Sequence, residues 1–130
     1  ALELLTGRSW RVGPTSNRMG YRLEGPPLKA LRAFDLPSLG VVPGVIQAPP
    51  DGAPILLMAD AQTTGGYPVI GTVIGADLPL AAQLLPGDTL RLALTTLEEA
   101  LPAHRALLAM LEQPLDADEG DLLAAMAGGW

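Results

Sequence analysis

The sequence predicts a mainly β domain, a barrel or sandwich of short strands with one or two short helices and a C-terminal helix. Three observations carry this expectation. Glycine (15) and proline (13) recur at short intervals through all 130 residues, which cuts the chain into brief elements joined by turns. Between these breaks lie runs rich in Val, Ile, Leu and Thr, several with the two-residue alternation of a half-buried strand. One late stretch, Leu97 to Leu111, instead carries apolar residues at steps of three and four.

In chain order the predicted strands are Ser9 to Val12, Met19 to Leu23, Val41 to Gln47, Ile55 to Met58, Val69 to Ile74 and Leu90 to Thr95. Tyr21 and Leu23 alternate with Arg22 and Glu24, and Leu90, Leu92 and Leu94 alternate with Arg91 and Ala93, so each run turns one apolar face to a core. Pro50-Asp51-Gly52 reads as a tight turn between two strands, because Asp-Gly is a favoured hairpin dipeptide. Asp77 is placed to cap a short helix ending near Leu85, where Pro86-Gly87 stops it. Thr95 and Thr96 each precede a glutamate by three residues, the spacing of a capping box, and open the longer helix. Its stripe is Leu97, Leu101, His104, Leu108 and Leu111, with Pro102 expected to kink it or delay its start and Pro114 to end it. The remainder, 114–130, is expected to be an acidic tail with a short helix around Leu122 to Met126.

Length allows one domain and not two. Lys plus Arg total 8 against 14 Asp plus Glu, a formal net charge of -6, which is the wrong sign for gripping a phosphate backbone and argues against nucleic acid. No apolar run approaches the roughly 18 residues of a membrane helix, and no secretory signal is visible, so a cytoplasmic protein without a membrane partner is the default expectation. The start at Ala1, running at once into Leu2, Leu4 and Leu5, suggests a piece cut from a longer chain.

Absent residue types remove much chemistry. Without cysteine there is no disulfide, thiolate catalysis or Cys-based zinc site, and a single histidine, His104, leaves neither a zinc site nor an obvious triad. On its apolar stripe His104 reads as a packed residue. Gly66 to Gly71 imitates a phosphate loop, but Thr72 stands at the lysine position and Tyr67-Pro68 stiffens it. Asp116, Asp118 and Asp121 imitate a calcium loop without its glycine and its closing glutamate, so no metal is expected.

Three polar segments carry the candidate chemistry: Thr15 to Arg22, Gln47 to Gly52 and Asp60 to Pro68. In the last, Gln62, Thr63 and Thr64 offer amide and hydroxyl groups. Gly65 and Gly66 let backbone N–H groups approach a ligand, and Tyr67 adds a ring with a polar tip. The segment reads either as a carbonyl-binding loop or as a hairpin turn. Asn17-Arg18 reads either as an anion contact or as an Asx turn beside a surface arginine. Gln47 carries its amide at a strand end.

Taken in order, Ser16-Asn17-Arg18-Met19-Gly20-Tyr21-Arg22-Leu23-Glu24-Gly25, Gly44 through Gly52, Asp60 through Pro68, Gly71-Thr72-Val73-Ile74, Ala76-Asp77-Leu78 and Pro86-Gly87-Asp88 resemble one family. It is the biotin-dependent carboxyltransferase family called allophanate hydrolase subunit 2, or KipA-like, which includes the C subunit of 5-oxoprolinase and part of urea carboxylase. The likeness runs from about Gly7 to Ala100. It implies a cyclophilin-like β-barrel over 1–113, the C-terminal half of a longer chain whose N-terminal half would be a partner. It implies ATP-dependent opening of 5-oxoproline to glutamate with a KipI-like subunit and a third oxoprolinase subunit. In the urea carboxylase branch, it implies carboxyl transfer from biotin carried on a partner to a urea-like amide. A regulatory module that binds a KipI-type kinase inhibitor is the alternative. Asn17, Arg18, Gln47, Gln62, Thr63, Thr64, Gly65, Gly66 and Tyr67 fall on motif positions and are expected to line a substrate pocket, with Arg18 meeting negative charge. Ala61 stands where the family carries a longer, often basic residue. No nucleophile or general base is identified.

Overall fold

The chain, in a computed structural model, is described over residues 2–29 and 37–113. Its strands are β1 (Ser9–Val12), β2 (Gly20–Glu24), β3 (Leu39–Gly40), β4 (Val45–Gln47), β5 (Ile55–Leu57), β6 (Thr64–Gly65), β7 (Val69–Thr72) and β8 (Thr89–Arg91). Six of them form one antiparallel sheet in the order β7-β4-β5-β2-β1-β8, and β3 pairs with β6 in a separate two-stranded ribbon. The mainly β class expected from the sequence is therefore what is found, with the main sheet curled into a half-barrel.

Alternation decides which face each strand buries. On β1 Trp10 and Val12 are buried while Ser9 and Arg11 are exposed, and on β2 Tyr21 and Leu23 are buried. With Leu5, Ile46 and Leu56 they form the main core on one side of the sheet. The short helix α1 (Leu2–Thr6) closes over it, because the buried Trp10 donates from Nε1 to the Leu5 carbonyl at 2.8 Å and so satisfies its one polar atom. The opposite side holds a smaller cluster of Val41, Val45 and Leu57. β4 is thus buried on both faces, at Val45, Ile46 and Gln47 alike.

Several elements differ from expectation in extent. Of the run Val41 to Gln47 only the last three residues are strand, since Val42 and Val45 close a turn (N–H to carbonyl, 3.2 Å). The last predicted strand stops at Arg91, and β3 and β6 were not anticipated because two-residue strands carry no periodicity. Helix α2 (Leu78–Ala82) ends before Leu85. Asp77 stands at its N-terminus without capping it through its side chain, because Asp77 already closes the 3-10 turn Gly75–Asp77 and has helical backbone angles. The Tyr21 hydroxyl donates to the Ala82 carbonyl at 3.3 Å and ties α2 to the sheet.

Helix α3 (Leu97–Glu112) starts where the capping box places it. The Glu99 N–H donates to the Thr96 hydroxyl, and the Thr96 N–H donates to the Glu99 carboxylate. Pro102 sits in the sixth helical position and neither delays nor ends the helix. Gln113 is extended, the backbone a residue before proline adopts. The face turned toward the body is not the leucine stripe: Ala100, Ala103 and Leu107 are partly covered, while Leu97, Leu101, Leu108 and Leu111 are exposed. His104 is exposed too. Its ring lies beside Gly75, with Nδ1 2.8 Å from where a Gly75 Cβ would stand. The predicted acidic tail and its short helix lie outside the described residues.

Candidate functional site

On the side of the sheet away from the main core, three neighbouring strands present one continuous surface. Register places Gly20 opposite Leu57, Arg22 opposite Ile55, and Gln47 opposite Ile55, so these five residues share a face. They floor a pocket of about 220 Å³ whose rim adds Thr15, Asn17, Met19, Gln62 and Tyr67. That volume suits a small polar molecule and falls below the usual range for larger ligands.

Gln47 dominates the floor. It is 1% exposed, and its Nε2 has no hydrogen-bond partner. A buried donor left without an acceptor costs roughly 1–3 kcal/mol, so such a group in a fold marks a place where an acceptor is missing. Two features hold it there. The β4–β7 ladder shifts register between Ile46 and Gln47, pairing Ile46 with Gly71 but Gln47 with Val69, and such a bulge re-aims the side chain beside it. Over the amide lies Gly65 of β6, where a Cβ would stand 2.5 Å from Nε2. Only glycine permits that approach.

The rim is set by turns. In the loop between β1 and β2 the Met19 N–H donates to Asn17 Oδ1 at 2.8 Å, which is an Asx turn. The Arg22 N–H donates to Ser16 Oγ at 3.1 Å. Between β4 and β5 the predicted Pro50-Asp51-Gly52 turn is present and begins one residue earlier, with the Gly52 N–H donating to the Pro49 carbonyl and Gly52 at φ +80. Asp51 in that turn pairs with Arg22. Arg18 Nε contacts Asp60 Oδ2 at 3.0 Å with its side chain 83% exposed.

Of the residues expected to line a pocket, Asn17, Gln47, Gln62 and Tyr67 are together in its wall. Thr63, Thr64, Gly65 and Gly66 are not among its lining residues. The Thr63 carbonyl accepts from the Val41 N–H at 3.0 Å, and Thr64–Gly65 is the strand paired with Leu39–Gly40. Arg18 lies outside the wall, paired as the surface-arginine reading has it. Arg22, Thr15 and Met19 belong to the wall and were not singled out. The period-two alternation from Gly20 to Arg22 was the signal for the first of these.

The chemistry follows from the inventory. Among the described residues both guanidinium groups near the pocket are matched by carboxylates, Arg22 by Asp51 and Arg18 by Asp60, and the pocket offers a neutral amide donor. Its wall contains no His, Cys, Asp or Glu, and no metal-binding cluster occurs among the described residues. The arrangement can hold and polarise a neutral carbonyl oxygen. The glycine run Gly66 to Gly71 is no phosphate cradle either, since Val69–Thr72 is a strand paired with β4.

Residues 1–94 match the family described as the carboxyltransferase domain, subdomain A and B. The chain is 47% identical over 104 residues to the C subunit of 5-oxoprolinase from Escherichia coli (strain K12), covering 80% of this chain and 34% of that protein. It is 43% identical over the same length to the corresponding 5-oxoprolinase subunit of Haemophilus influenzae, again 34% of that protein. The chain therefore spans about a third of the length of these curated relatives. Among solved structures, the crystal form of TTHA0988 in space group P6522 superposes with a TM-score of 0.64 at 31% identity, over 72% of this chain and 19% of that one. The urea carboxylase of Kluyveromyces lactis shares the fold at a TM-score of 0.70 and 23% identity, over 92% of this chain and 12% of that one.

Proposed function

Because the chain belongs to the carboxyltransferase domain family, subdomain A and B, we propose that it contributes a carbonyl-binding half-site to a multi-subunit enzyme acting on an amide bond. The reaction proposed is ATP-dependent opening of 5-oxoproline to glutamate, with carboxyl transfer to a urea-like amide as the second. The curated relatives, both subunits of 5-oxoprolinase, support the first. The observation that carries the site is the buried, partnerless Gln47 Nε2 on a bulged strand under Gly65.

In this reading the lactam or urea oxygen accepts from Gln47 Nε2, which satisfies the orphaned donor and draws electron density from the carbonyl carbon. Gly65 keeps the amide in place, and Gln62 and Tyr67 close the rim around the ligand. The attacking group and the general base come from a KipI-like subunit, a third subunit or the rest of the parent chain. ATP does not fit here: the pocket is about 220 Å³ and has no lysine among its lining residues. The same donor does suit the ureido oxygen of biotin, a group that would bring a transferable carboxyl. The part of Gln47 would be to hold that oxygen.

The test uses the full-length parent chain co-expressed with the other two subunits, assayed for ATP-dependent turnover of 5-oxoproline and, separately, of urea. Gln47→Ala is expected to lower kcat/KM by about 10- to 100-fold, the worth of one buried hydrogen bond, with the complex intact. Unchanged turnover in an intact complex would sink the assignment of Gln47. A stable complex that turns over neither substrate would point instead to the regulatory, KipA-like module. Gly65→Ala should reproduce most of the Gln47 loss at little cost to folding, since the methyl group meets only the far end of a side chain.

A further inference from the structure

Among the described residues Arg22 is the one charged side chain in the wall of the carbonyl pocket. Register sets it in line with Gln47. Ile55 of β5 is the partner of Arg22 on one side and of Gln47 on the other, so the three share a face and the two polar side chains flank Ile55. With neighbouring strands about 4.8 Å apart, the backbones of Arg22 and Gln47 stand about 10 Å from each other, a gap that two side chains and one small ligand fill. Between them the floor is Ile55, Leu57 and Gly20, aliphatic or bare. The pair with Asp51 does not use up the guanidinium. Asp51 takes a single contact, at Nη2, and among the described residues Nε and Nη1 have no hydrogen-bond acceptor. Asp51 is itself fixed by its turn, where Oδ1 accepts from the Ala53 N–H at 3.1 Å, and it is not part of the pocket wall. A guanidinium carries five N–H donors in a planar fork and can serve two carboxylates, of which the fold supplies one.

We infer that the pocket takes a ligand that carries a carboxylate as well as a carbonyl, with Arg22 as the specificity-determining residue that binds the carboxylate while Gln47 Nε2 holds the carbonyl oxygen. The inference rests on the carbonyl-binding reading of Gln47 proposed above and adds a second point of attachment to it. An aliphatic ring joining the two groups lies on Ile55 and Leu57. The two oxygens of a carboxylate share a plane and match one edge of a guanidinium, whereas a hydroxyl or an amide oxygen offers neither the second acceptor nor the charge. A neutral amide such as urea therefore leaves Arg22 unused, and a lactam acid uses both ends of the site. Arg18 is not placed for this task, being outside the wall with its side chain 83% exposed.

The test reads binding and not turnover, in the purified full-length parent chain and again in the co-expressed complex without ATP. Two probes are compared by ligand-observed NMR: 5-oxoproline, which has both groups, and 2-pyrrolidinone, the same lactam ring without the carboxylate. The wild type is expected to bind 5-oxoproline about ten-fold more tightly, the scale of one charge-assisted hydrogen bond. Arg22→Gln should bring the two probes to within about three-fold of each other by weakening 5-oxoproline alone. The variant should fold, because an ion pair as exposed as Arg22–Asp51 contributes little to stability, and a melt within a few degrees of wild type checks this. Discrimination that survives in Arg22→Gln would overturn the inference, as would an equal loss for both probes, which marks a structural role. Absence of saturable 5-oxoproline binding in both preparations would overturn it as well. Failure of the carbonyl reading looks different: Gln47→Leu would then leave both probes bound as in the wild type, and loss of discrimination in Arg22→Gln would still support the carboxylate site.

Discussion

Gln47 is conspicuous as a strand-end amide in the sequence, but its importance comes from what surrounds it. Alternation alone would set it beside Val45 on a buried face. The bulge at Ile46/Gln47 and the nearness of Gly65 then leave its donor without an acceptor. Replacing the amide by a hydrocarbon of similar size removes that penalty, so Gln47→Leu is expected to raise the unfolding temperature by a few degrees in a thermal melt while turnover falls. Arg18 is the contrasting case. An exposed pair with Asp60 is worth at most about 1 kcal/mol, and Arg18→Ala should change neither the melt nor kcat/KM by more than about two- to three-fold. A larger fall in kcat/KM with no change in stability would favour the anion-contact reading of that residue.

Elements were legible where a local rule acts alone. The Thr96–Glu99 capping box, the Asp51-Gly52 turn and the alternation on β1 and β2 each involve residues within a few positions of one another. Thr96→Ala should cost about 1 kcal/mol of helix stability, seen as earlier melting of the helical signal in circular dichroism. The Thr96 N–H and the Thr95 hydroxyl both donate to the Glu99 carboxylate and hold its pKa below the ordinary value. A carboxylate with a lowered folded-state pKa stabilises the fold above its unfolded value and loses that contribution as the pH falls. The advantage of the wild type over Glu99→Gln should therefore be full at neutral pH and vanish in acid below the ordinary carboxylate range. A difference that persists there would refute the capping role of the charge. Where a rule is not local, expectation failed. The ribbon β3–β6 joins residues some 25 apart in sequence, and nothing in either segment announces the other.

The whole molecule hangs on few aromatic side chains. Trp10 is fully buried, bonds to Leu5, and stands against Gly25, where a Cβ would come within 2.8 Å of the ring. Trp10→Ala is expected to cost about 3–5 kcal/mol, a large part of the stability of an ordinary domain, and to leave the chain largely insoluble or molten. A cooperative melt within a few degrees of wild type would show that α1 and β1 are held some other way. The sequence by itself determined the mainly β class, the position of most strands, the start of α3, the absence of cysteine chemistry and the segments that carry polar groups. Composition, period and caps are properties of neighbouring residues. Tertiary structure alone decided which four of nine candidate residues share a wall, that Arg18 and Arg22 are matched by carboxylates, which face of α3 meets the body, and that β7 and β8 stand at the two ends of the sheet order among the described residues. The reason is that strand order and register are fixed by the packing of residues far apart in the chain, and a shift of one position would move each of these side chains to the other face.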